Sequence, residues 1–403
     1  MDILDTYYKK TIDFDYKNIK LRFKVSQPLF SSHFIDLGTQ RLLRTFLSNK
    51  LDYKKILDMG CGYGTIGITL KALMPNSEIH MTDRDALAIK YSGLNAELNK
   101  LSIPQIYGSL GYDNIDTKDF DLIISNIPAK LGFKVLSHIL LDAKSFLKKG
   151  GLVSIVVVDA ILDDVNQILS DPNIEIILKK SWSGHTVFHY KFIDDLNLNN
   201  KENPQNFNTD LYYRHEYSFS FLNKTLKLKT TFNLPEFDEI GHNTQMLLNN
   251  LDSIKTKDIQ NCVIYNIHQG HIPVAVSAIS NTRKMILVDR NLQSLTTTSR
   301  NLKLNGFPEE RIIIKHQVDL NVEDFDMDCF IAIIDKKEGR EVNQFLIKQI
   351  LDQLSKNGKA YLESTSNIIT QLEKLVKKDK RMSILKRTKY RGEGFLMFEK
   401  KSI

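Results

Sequence analysis

Short apolar runs along the chain alternate with longer helical stretches, and this alternation occurs in two successive series. In the first series, runs such as "KKILDMG" and "FDLII" alternate with stretches such as "TDRDALAIKYSGLNAELN". Strands that alternate with helices are typical of a doubly wound, mostly parallel sheet. Each series closes with two strand patterns separated by a short polar turn, which predicts an antiparallel hairpin at one sheet edge.

The two series repeat one plan in the same order. "GTQRLL" is matched by "NTQMLL", "KKILDMGCGYG" by "NCVIYNIHQG", and "LNAELN" by "RNLKLN". We interpret the match as an internal duplication of one α/β domain. An Asn-rich polar segment without strand or helix periodicity separates the copies, and it predicts a linker. The expected organisation is a first domain over 1–195, a linker over 196–210 and a second domain over 211–403.

Composition narrows the class of protein. The chain has 403 residues, 42% of them hydrophobic and 26% charged, as in ordinary globular proteins. Its longest apolar run, "GLVSIVVVDAIL", is too short to span a membrane, and the charged N-terminal residues do not resemble a signal peptide. The three cysteines have no CxxC spacing, and no carboxylate or thiol stands at ligand spacing beside His268 and His271. We therefore expect a soluble cytoplasmic monomer without a bound metal.

The net charge of +7 is unevenly distributed. Residues 1–200 hold 24 basic against 23 acidic residues, and residues 201–403 hold 31 against 25. Much of the surplus lies in "KLVKKDKRMSILKRTKYRGEG", where Lys386, Arg387 and Arg391 are the predicted phosphate contacts. A basic surplus favours a polyanionic partner such as RNA, although a solvated helix face has a similar composition.

A glycine-rich loop follows the first predicted strand of the sheet. In "ILDMGCGYGTIG", Asp58 precedes Gly60, Gly62 and Gly64, which allow tight turns and a close approach to a ligand. Dinucleotide sites share such loops, but a carboxylate before the glycines suits the cationic S-adenosylmethionine better than a pyrophosphate. Asp83 ends the next strand and can accept both ribose hydroxyls. A structural turn with a helix-capping Asp is the alternative interpretation.

The stretch "SNIPAKLG" follows the apolar run "FDLII". The strand end faces a bound ligand in such sheets. The side chain of Asn126 and a neighbouring backbone carbonyl can together accept the two N–H bonds of an exocyclic amine, and Pro128 stiffens the loop. Orientation of the amine would then supply much of the rate gain, with no metal. An Asn-x-Pro turn without catalytic role is the alternative.

The segments "VSQPLFSSHFIDLGTQRLL", "ILDMGCGYGTIG", "TDRDALAIKYSGLNAELN" and "FDLIISNIPAKLG" together resemble the methyltransferase small domain family. The resemblance spans residues 20 to 190 and is faint in the second half. Its best-known members are ribosomal RNA guanine-N2 methyltransferases with two tandem class I domains, one active and one degenerate. The resemblance implies two Rossmann-like domains, each with a mostly parallel seven-stranded sheet, and S-adenosylmethionine as cofactor. The degenerate domain is usually the N-terminal one, whereas here the order is reversed.

The chain departs from the family at its catalytic tetrapeptide, Asn-Pro-Pro-aromatic. Asn126 and Pro128 are kept, but Ile127 and Ala129 replace a proline and the ring on which the target base stacks. Phe30 or Phe133 is a candidate to supply a ring from another direction, and Phe30 is the predicted substrate contact.

The second half has lost these features. Asn266, His268, Gly270 and Pro273 stand opposite Gly60, Gly62, Gly64 and Gly67, and Ile264 stands opposite Asp58. Ile333 and Asp335 replace Asn126 and Pro128. A ligand site there would need a different loop geometry. We expect a retained fold without catalysis that docks the substrate.

The sequence therefore predicts an S-adenosylmethionine-dependent methyltransferase that acts on an exocyclic amine of RNA, guanine N2 of ribosomal RNA above all. Two alternatives stay open. One is methylation of a protein glutamine or of a small molecule, since Asn-Pro motifs also serve amide nitrogens. The other is a non-catalytic assembly factor that binds S-adenosylmethionine or RNA.

Overall fold

The computed structural model describes residues 2–46, 52–193, 211–236, 238–255, 257–322 and 325–402, which form two compact units. The first unit is Tyr8–Tyr212. The second begins at Tyr213 and also includes the residues before Tyr8, with helix α1 (Ile3–Tyr7). Residues 2–7 therefore pack with the second unit, whereas the sequence-based range 1–195 assigns them to the first domain. The predicted linker, 196–210, lies outside the described residues.

The first unit consists of a two-stranded hairpin and a seven-stranded sheet with helices around it. Its elements, in chain order, are β1 (Tyr8–Tyr16), β2 (Ile19–Ser26), α2 (Leu37–Arg44), β3 (Lys55–Met59), α3 (Thr65–Leu73), β4 (Glu78–Asp83), α4 (Ala86–Leu98), β5 (Gln105–Gly108), β6 (Phe120–Asn126), α5 (Phe133–Leu141), β7 (Leu147–Val158), α6 (Leu162–Leu169), β8 (Ile174–Trp182) and β9 (His185–Phe192).

The strand order of the first sheet is β5-β4-β3-β6-β7-β9-β8. The first five strands are parallel, and β9 runs antiparallel to both of its neighbours. Six of the seven residues of β6 are buried because helices cover both faces of the sheet, which explains its uninterrupted apolar sequence. The order reverses between β3 and β4 on one side and β6 on the other, and ligands bind at such a switch point.

The second unit has the same elements in the same order. After α1 they are β10 (Tyr213–Phe221), β11 (Lys224–Thr231), α7 (His242–Leu248), β12 (Asp258–Tyr265), α8 (His271–Ile279), β13 (Asn281–Asp289), α9 (Leu292–Leu304), β14 (Ile312–His316), β15 (Met327–Ile333), α10 (Arg340–Gln353), β16 (Leu354–Thr365), α11 (Ser366–Lys378), β17 (Met382–Tyr390) and β18 (Glu393–Lys400). Its sheet order, β14-β13-β12-β15-β16-β18-β17, repeats that of the first. The predicted pair of mostly parallel seven-stranded sheets with antiparallel edge hairpins is confirmed.

Paired asparagines fix each small hairpin to its domain. In the first unit, Asn95 on α4 and Asn99 directly after it exchange hydrogen bonds of 2.7 to 2.9 Å with the backbone N–H and C=O groups of Lys24 and Arg22 on β2. Asn301 and Asn305 make the same contacts, at 2.7 to 3.1 Å, with Lys229 and Lys227 on β11. These asparagines are the ones in the repeated motifs "LNAELN" and "RNLKLN". Their side-chain amides pair with a strand edge as a neighbouring strand would.

Each unit buries its own apolar core around the sheet. Phe120, Phe188 and Tyr190 are fully buried in the first core, and Tyr361 and Phe395 in the second. Within the described ranges, no helix is both long and apolar enough to cross a membrane.

Candidate active site

Asp58 lies near the carboxyl end of β3, an interior strand of the first sheet, and its side chain is fully buried. Its Oδ2 atom accepts the N–H of Gly67 in α3 at 2.8 Å. The buried Oδ1 atom has no hydrogen-bond donor among the described residues. Burial raises the pKa of Asp58 to about 7, with the charge of Asp83 adding to the effect and the Gly67 N–H opposing it. Asp58 thus braces the start of α3 and keeps one oxygen in need of a donor or a cation.

The loop after Asp58 presents bare backbone and empty space. Gly60 and Gly62 have φ angles of 71° and 58°, in the left-handed region that glycine adopts readily. A Cβ atom at either position would have no heavy atom within 4 Å. The Gly60 N–H is fixed by a 2.8 Å hydrogen bond to the carbonyl of Thr82, and Gly64 caps the start of α3. A ligand can therefore approach this loop closely.

Asp83 at the end of β4 is tied to the same loop. Its Oδ2 atom accepts the N–H of Gly62 and its Oδ1 atom that of Asp85, both at 2.9 Å. Each oxygen keeps a further lone pair, which is what two vicinal hydroxyls need. Burial is the main cause that raises the pKa of Asp83 to about 6.

Asn126 ends β6, the strand next to β3. Its Nδ2 atom donates to Oδ2 of Asp36 at 2.7 Å and to Oγ1 of Thr39 at 3.1 Å. A carboxylate only accepts hydrogen bonds, so Asp36 requires Asn126 to turn its NH2 group toward it. The carbonyl oxygen Oδ1 is then left as an acceptor on the other side of the amide. The amide has the orientation that the predicted role needs.

Asp36 is a residue that sequence reasoning missed. It caps helix α2, where its Oδ2 atom accepts the N–H of Thr39 at 2.9 Å. The signal for the cap is present in "IDLGTQ", an acid directly before an amphipathic helix. The contact with Asn126 has no local signal, because the two residues are 90 positions apart.

The residues after Asn126 have different environments. Ile127 is 3% exposed and belongs to the core of the first unit, and its N–H donates to the carbonyl of Val156 at 3.0 Å. Pro128 and Ala129 are exposed. The tetrapeptide therefore offers no aromatic side chain to a molecule bound at Asn126.

Two exposed rings lie in the flanking segments. Phe30, the predicted substrate contact, is 71% exposed in the loop between β2 and α2. Phe133 is 42% exposed at the start of α5. The exposure agrees with a surface role for either ring, and the role of Phe30 stays a prediction.

The three predicted phosphate contacts in the second unit differ in how accessible their side chains are to an anion. Lys386 and Arg387 lie on β17, the edge strand of the second sheet, and Arg391 follows in the turn to β18. Lys386 and Arg391 are exposed. Arg387 donates to Glu373 at 2.6 Å and to Thr370 at 2.8 Å, so its guanidinium is engaged with α11. Lys389, exposed on the same strand, is a better partner for an anion than Arg387.

The matching loop of the second unit keeps its backbone conformation although glycines are replaced. Asn266, His268 and Gly270 have φ angles of 59°, 49° and 96°, against 71°, 58° and 92° for Gly60, Gly62 and Gly64. Both Asn and His are among the side chains that tolerate the left-handed region. The replacement of the glycines therefore changes the side chains of this loop and not its backbone conformation. Asn266, for example, donates to the carbonyl of Ile333 at 3.0 Å.

Strand register identifies which residues of the second unit stand at the positions of Asp58 and Asn126. Ile264 pairs with Leu287 as Asp58 pairs with Met81 in the first unit. Ile333 pairs with Glu363 as Asn126 pairs with Val156. Asp289 accepts the N–H of Asn291 at 2.8 Å, as Asp83 accepts that of Asp85, but its second donor is the N–H of Ile267 at 3.0 Å and not that of His268, which stands opposite Gly62.

Acidic and histidine side chains lie close together in the second unit. Glu236 accepts the hydroxyl of Thr244 at 2.8 Å, and its carboxylate lies 3.4 Å from Nδ1 of His271 and 3.9 Å from Nδ1 of His268. Glu363 is fully buried, and its oxygens have no hydrogen-bond partner among the described residues. Burial, with added repulsion from Glu393 and Glu236, raises its pKa to about 8.

The first unit fits the cofactor predicted from sequence. Bare backbone at Gly60 and Gly62, the unpaired oxygen of Asp58 and the lone pairs of Asp83 match a cation that carries a ribose. The fold and this pocket define a Rossmann-like, class I S-adenosylmethionine-dependent methyltransferase domain.

The methyltransferase small domain family matches residues 20–171. YbxB of Bacillus subtilis is 33% identical over 150 residues, which cover 74% of that protein and 37% of this chain. The chain belongs to the methyltransferase small domain family.

The chain is also similar to the ribosomal RNA small subunit methyltransferase C of Haemophilus influenzae. The two are 38% identical over 132 residues, which make up 32% of this chain and 39% of that enzyme. The match thus spans about two fifths of the relative's length.

One solved structure extends the likeness to both units. It is the Thermus thermophilus 16S rRNA N2 G1207 methyltransferase RsmC, in complex with AdoMet and guanosine. The TM-score is 0.63 over 98% of this chain and 99% of the other, at 13% sequence identity. The tandem fold is therefore shared along the whole chain.

Proposed function

We propose that this chain transfers a methyl group from S-adenosylmethionine to an exocyclic amine of RNA, and that guanine N2 of ribosomal RNA is the acceptor. The observation that carries the proposal is the orientation of Asn126, whose amide NH2 is held by Asp36 and Thr39 so that Oδ1 is left as an acceptor. The names of the two methyltransferases described above support a ribosomal RNA acceptor.

The acceptor amine needs help because its lone pair is delocalised into the base. Asn126 Oδ1 accepts one N–H of the amine, and a backbone carbonyl of the loop after β6 accepts the other. Both bonds turn the nitrogen lone pair toward the methyl donor, and alignment of this kind lowers the barrier without a charged catalyst. Pro128 restricts the backbone of the loop and so helps to keep the two accepting oxygens in fixed positions. The amine loses one proton after the transfer.

The cofactor is held by the loop between β3 and α3 and by two carboxylates. S-adenosylmethionine supplies an electrophilic methyl group on a sulfonium. Asp83 accepts the ribose hydroxyls, and bare backbone at Gly60, Gly62 and Gly64 follows the methionine portion. Asp58, whose side chain is fully buried, contributes a negative charge that favours the cationic end of the cofactor.

The second domain carries no catalysis in this proposal. Ile264 and Ile333 stand where the first unit has Asp58 and Asn126. The basic side chains on β17 and in the turn after it suit RNA docking, led by Lys386 and Arg391.

The test uses ribosomal RNA from a strain in which the gene is deleted. The purified full chain is incubated with this RNA and isotopically labelled S-adenosylmethionine, and nucleosides are identified by mass spectrometry. We expect labelled N2-methylguanosine. Label only in the protein fraction of a deletion extract would favour the glutamine acceptor, and cofactor binding without any transfer would favour a non-catalytic factor.

The variant Asn126→Ala separates the active site from a structural turn. Because Asn126 contacts the acceptor, its removal should lower turnover by about 100-fold while cofactor affinity stays within about twofold of wild type. Near-normal turnover on a confirmed substrate would rule out the proposed role of Asn126.

A further inference from the structure

The loop between β2 and α2, which we call the β2–α2 loop (residues 27–36), exposes apolar side chains in unusual density. Phe30 and Phe34 are 71% and 73% exposed, and Leu37, the first residue of α2, is 58% exposed. Aromatic rings grouped on one loop at this exposure mark an interaction surface. The loop therefore has a binding role that its packing within the first unit does not explain.

The rings stand on a braced backbone. Ser31 donates its hydroxyl to the carbonyl of Phe34 at 2.8 Å, and Gln40 on α2 donates its amide to the carbonyl of Ile35 at 2.8 Å. Leu29 and Ile35 are buried beneath the loop. A ring on such a backbone loses little further freedom when it binds a partner, which favours affinity.

The β2–α2 loop is coupled to the candidate active site through its last residue. Asp36 holds the amide of Asn126 at 2.7 Å, and Phe34 is two residues before it. The backbone of Phe34 is thus only two residues from the side chain that orients Asn126. The tetrapeptide after β6 lacks an aromatic side chain because Ala129 occupies that position.

Positive charge accompanies the rings. The ammonium of Lys10 lies 5.6 Å from the centroid of the Phe34 ring. Lys9, next to it on β1, donates to the hydroxyl of Ser32 at 3.2 Å. Aromatic rings beside lysines are the arrangement by which proteins hold unpaired nucleotides, with bases on the rings and phosphates on the cations.

We propose that Phe34 is the platform on which the acceptor base stacks, that Phe30 carries a neighbouring base, and that Lys9 and Lys10 contact the phosphates of the same unpaired RNA segment. This proposal rests on the RNA acceptor proposed above and assigns its recognition. In this proposal the acceptor base stacks on a ring of the β2–α2 loop, and not on a side chain of residues 126–129.

The first test measures binding of a fluorescein-labelled, unstructured 20-nucleotide RNA by anisotropy. Phe34→Ala should weaken binding about tenfold or more, Phe34→Leu should weaken it similarly, and Phe34→Trp should preserve it, because stacking needs a π face rather than apolar bulk alone. Phe232→Ala is the matched control, since Phe232 is a 41% exposed ring with the Arg214 guanidinium 5.2 Å away in the second unit.

The lysines are tested by the salt dependence of the same binding. Lys9→Gln and Lys10→Gln should each lower the logarithmic salt slope by about 0.7.

The second test measures methyl transfer to ribosomal RNA with the same variants. Phe34→Ala should raise KM for RNA, with S-adenosylmethionine affinity unchanged. Equal RNA binding and equal KM for Phe34→Ala and wild type would overturn the stacking role and leave the proposed function intact. Binding that depends on Phe34 without transfer to RNA would support the platform and refute the proposed function. Absence of RNA binding by the wild type would refute both.

Discussion

The side chains of Asp36 and Asn126, 90 residues apart, meet in a 2.7 Å hydrogen bond between a carboxylate oxygen and an amide nitrogen. The same oxygen of Asp36 accepts the N–H of Thr39 at 2.9 Å. One atom therefore caps α2 and fixes the orientation of the Asn126 amide, which we propose receives the acceptor amine. The same carboxylate oxygen thus stabilises the start of α2 and holds Asn126 in the candidate active site.

Asp36→Ala should lower turnover on RNA by about 10- to 100-fold because the amide of Asn126 loses the partner that orients it. Loss of the cap should also reduce the free energy of unfolding by about 1 kcal/mol. Asp36→Asn, which keeps an acceptor oxygen, should recover part of the turnover. The measurements are kcat and KM on ribosomal RNA, together with thermal unfolding.

The control for this prediction is Asn291→Ala. Asn291 caps α9 by accepting the N–H of Gln293 at 3.0 Å, and it lies in the other unit. Its loss should reduce stability similarly and leave turnover unchanged. Equal turnover in Asp36→Ala and Asn291→Ala would show that Asp36 is only a cap.

S-adenosylmethionine should bind once per chain, in the first unit. The first loop has open space at Gly60 and Gly62, whereas Asn266 and His268 place side chains at the matching positions. Calorimetric titration should give a stoichiometry near one. Asp83→Ala should weaken binding at least tenfold through the lost ribose contacts, while Asp289→Ala, at the matching position, should leave it unchanged. Two equivalent sites would contradict this assignment.

Cofactor affinity should increase as the pH rises from 5 to 7. Burial raises the pKa of Asp58 to about 7 and that of Asp83 to about 6, so the empty pocket binds protons in this range. A cationic ligand favours the ionised carboxylates, so binding should release protons and tighten by about tenfold across the range.

The same shifts affect stability in the opposite direction. Both folded-state pKa values lie above the unfolded ones, so these two groups stabilise the cofactor-free fold most below pH 4, and this contribution is lost as the pH rises through 6 and 7.

The affinity prediction is tested by calorimetric titration of the cofactor at pH 6 in two buffers of different ionisation enthalpy, which measures the protons released on binding. Asp83→Asn should release fewer protons than the wild type. Affinity independent of pH would contradict the prediction.

Charge reversal on β17 and the turn after it should weaken RNA binding without affecting cofactor binding. The suitable set is Lys386→Glu, Lys389→Glu and Arg391→Glu, because all three side chains are exposed while Arg387 pairs with Glu373 at 2.6 Å. The logarithmic salt slope of binding should fall by about 0.7 per lost phosphate contact. Glu substitutions of the exposed Lys284, Lys348 and Lys356 make the same change in net charge elsewhere in the second unit. Equal effects of the two triple variants would remove the docking role.

The sequence predicted the parts of the site that depend on local pattern. Gly60, Gly62 and Asp83 follow strands in the expected order, so the meeting of strand ends at one sheet edge places them together. The contact between Asp36 and Asn126 was not predictable, because it depends on where α2 packs beside β6. In the second unit, the sequence showed the loss of glycines but not that Asn266 and His268 keep the backbone conformation of the first loop.

Helix α1 cannot reach its final packing until most of the chain has been synthesised. Tyr7 is buried, and its hydroxyl donates to Glu338, 331 residues later. Glu338 also accepts from Arg290 at 3.0 Å, so the partner of Tyr7 is itself organised by the second unit. A ribosome that makes residues 2–7 must add more than three hundred others before α1 has its docking surface. Helix α1 packs against α10. Until α10 is made, Ile3 and Tyr7 lack the surface that buries them, so a nascent chain stalled before α10 would carry them exposed.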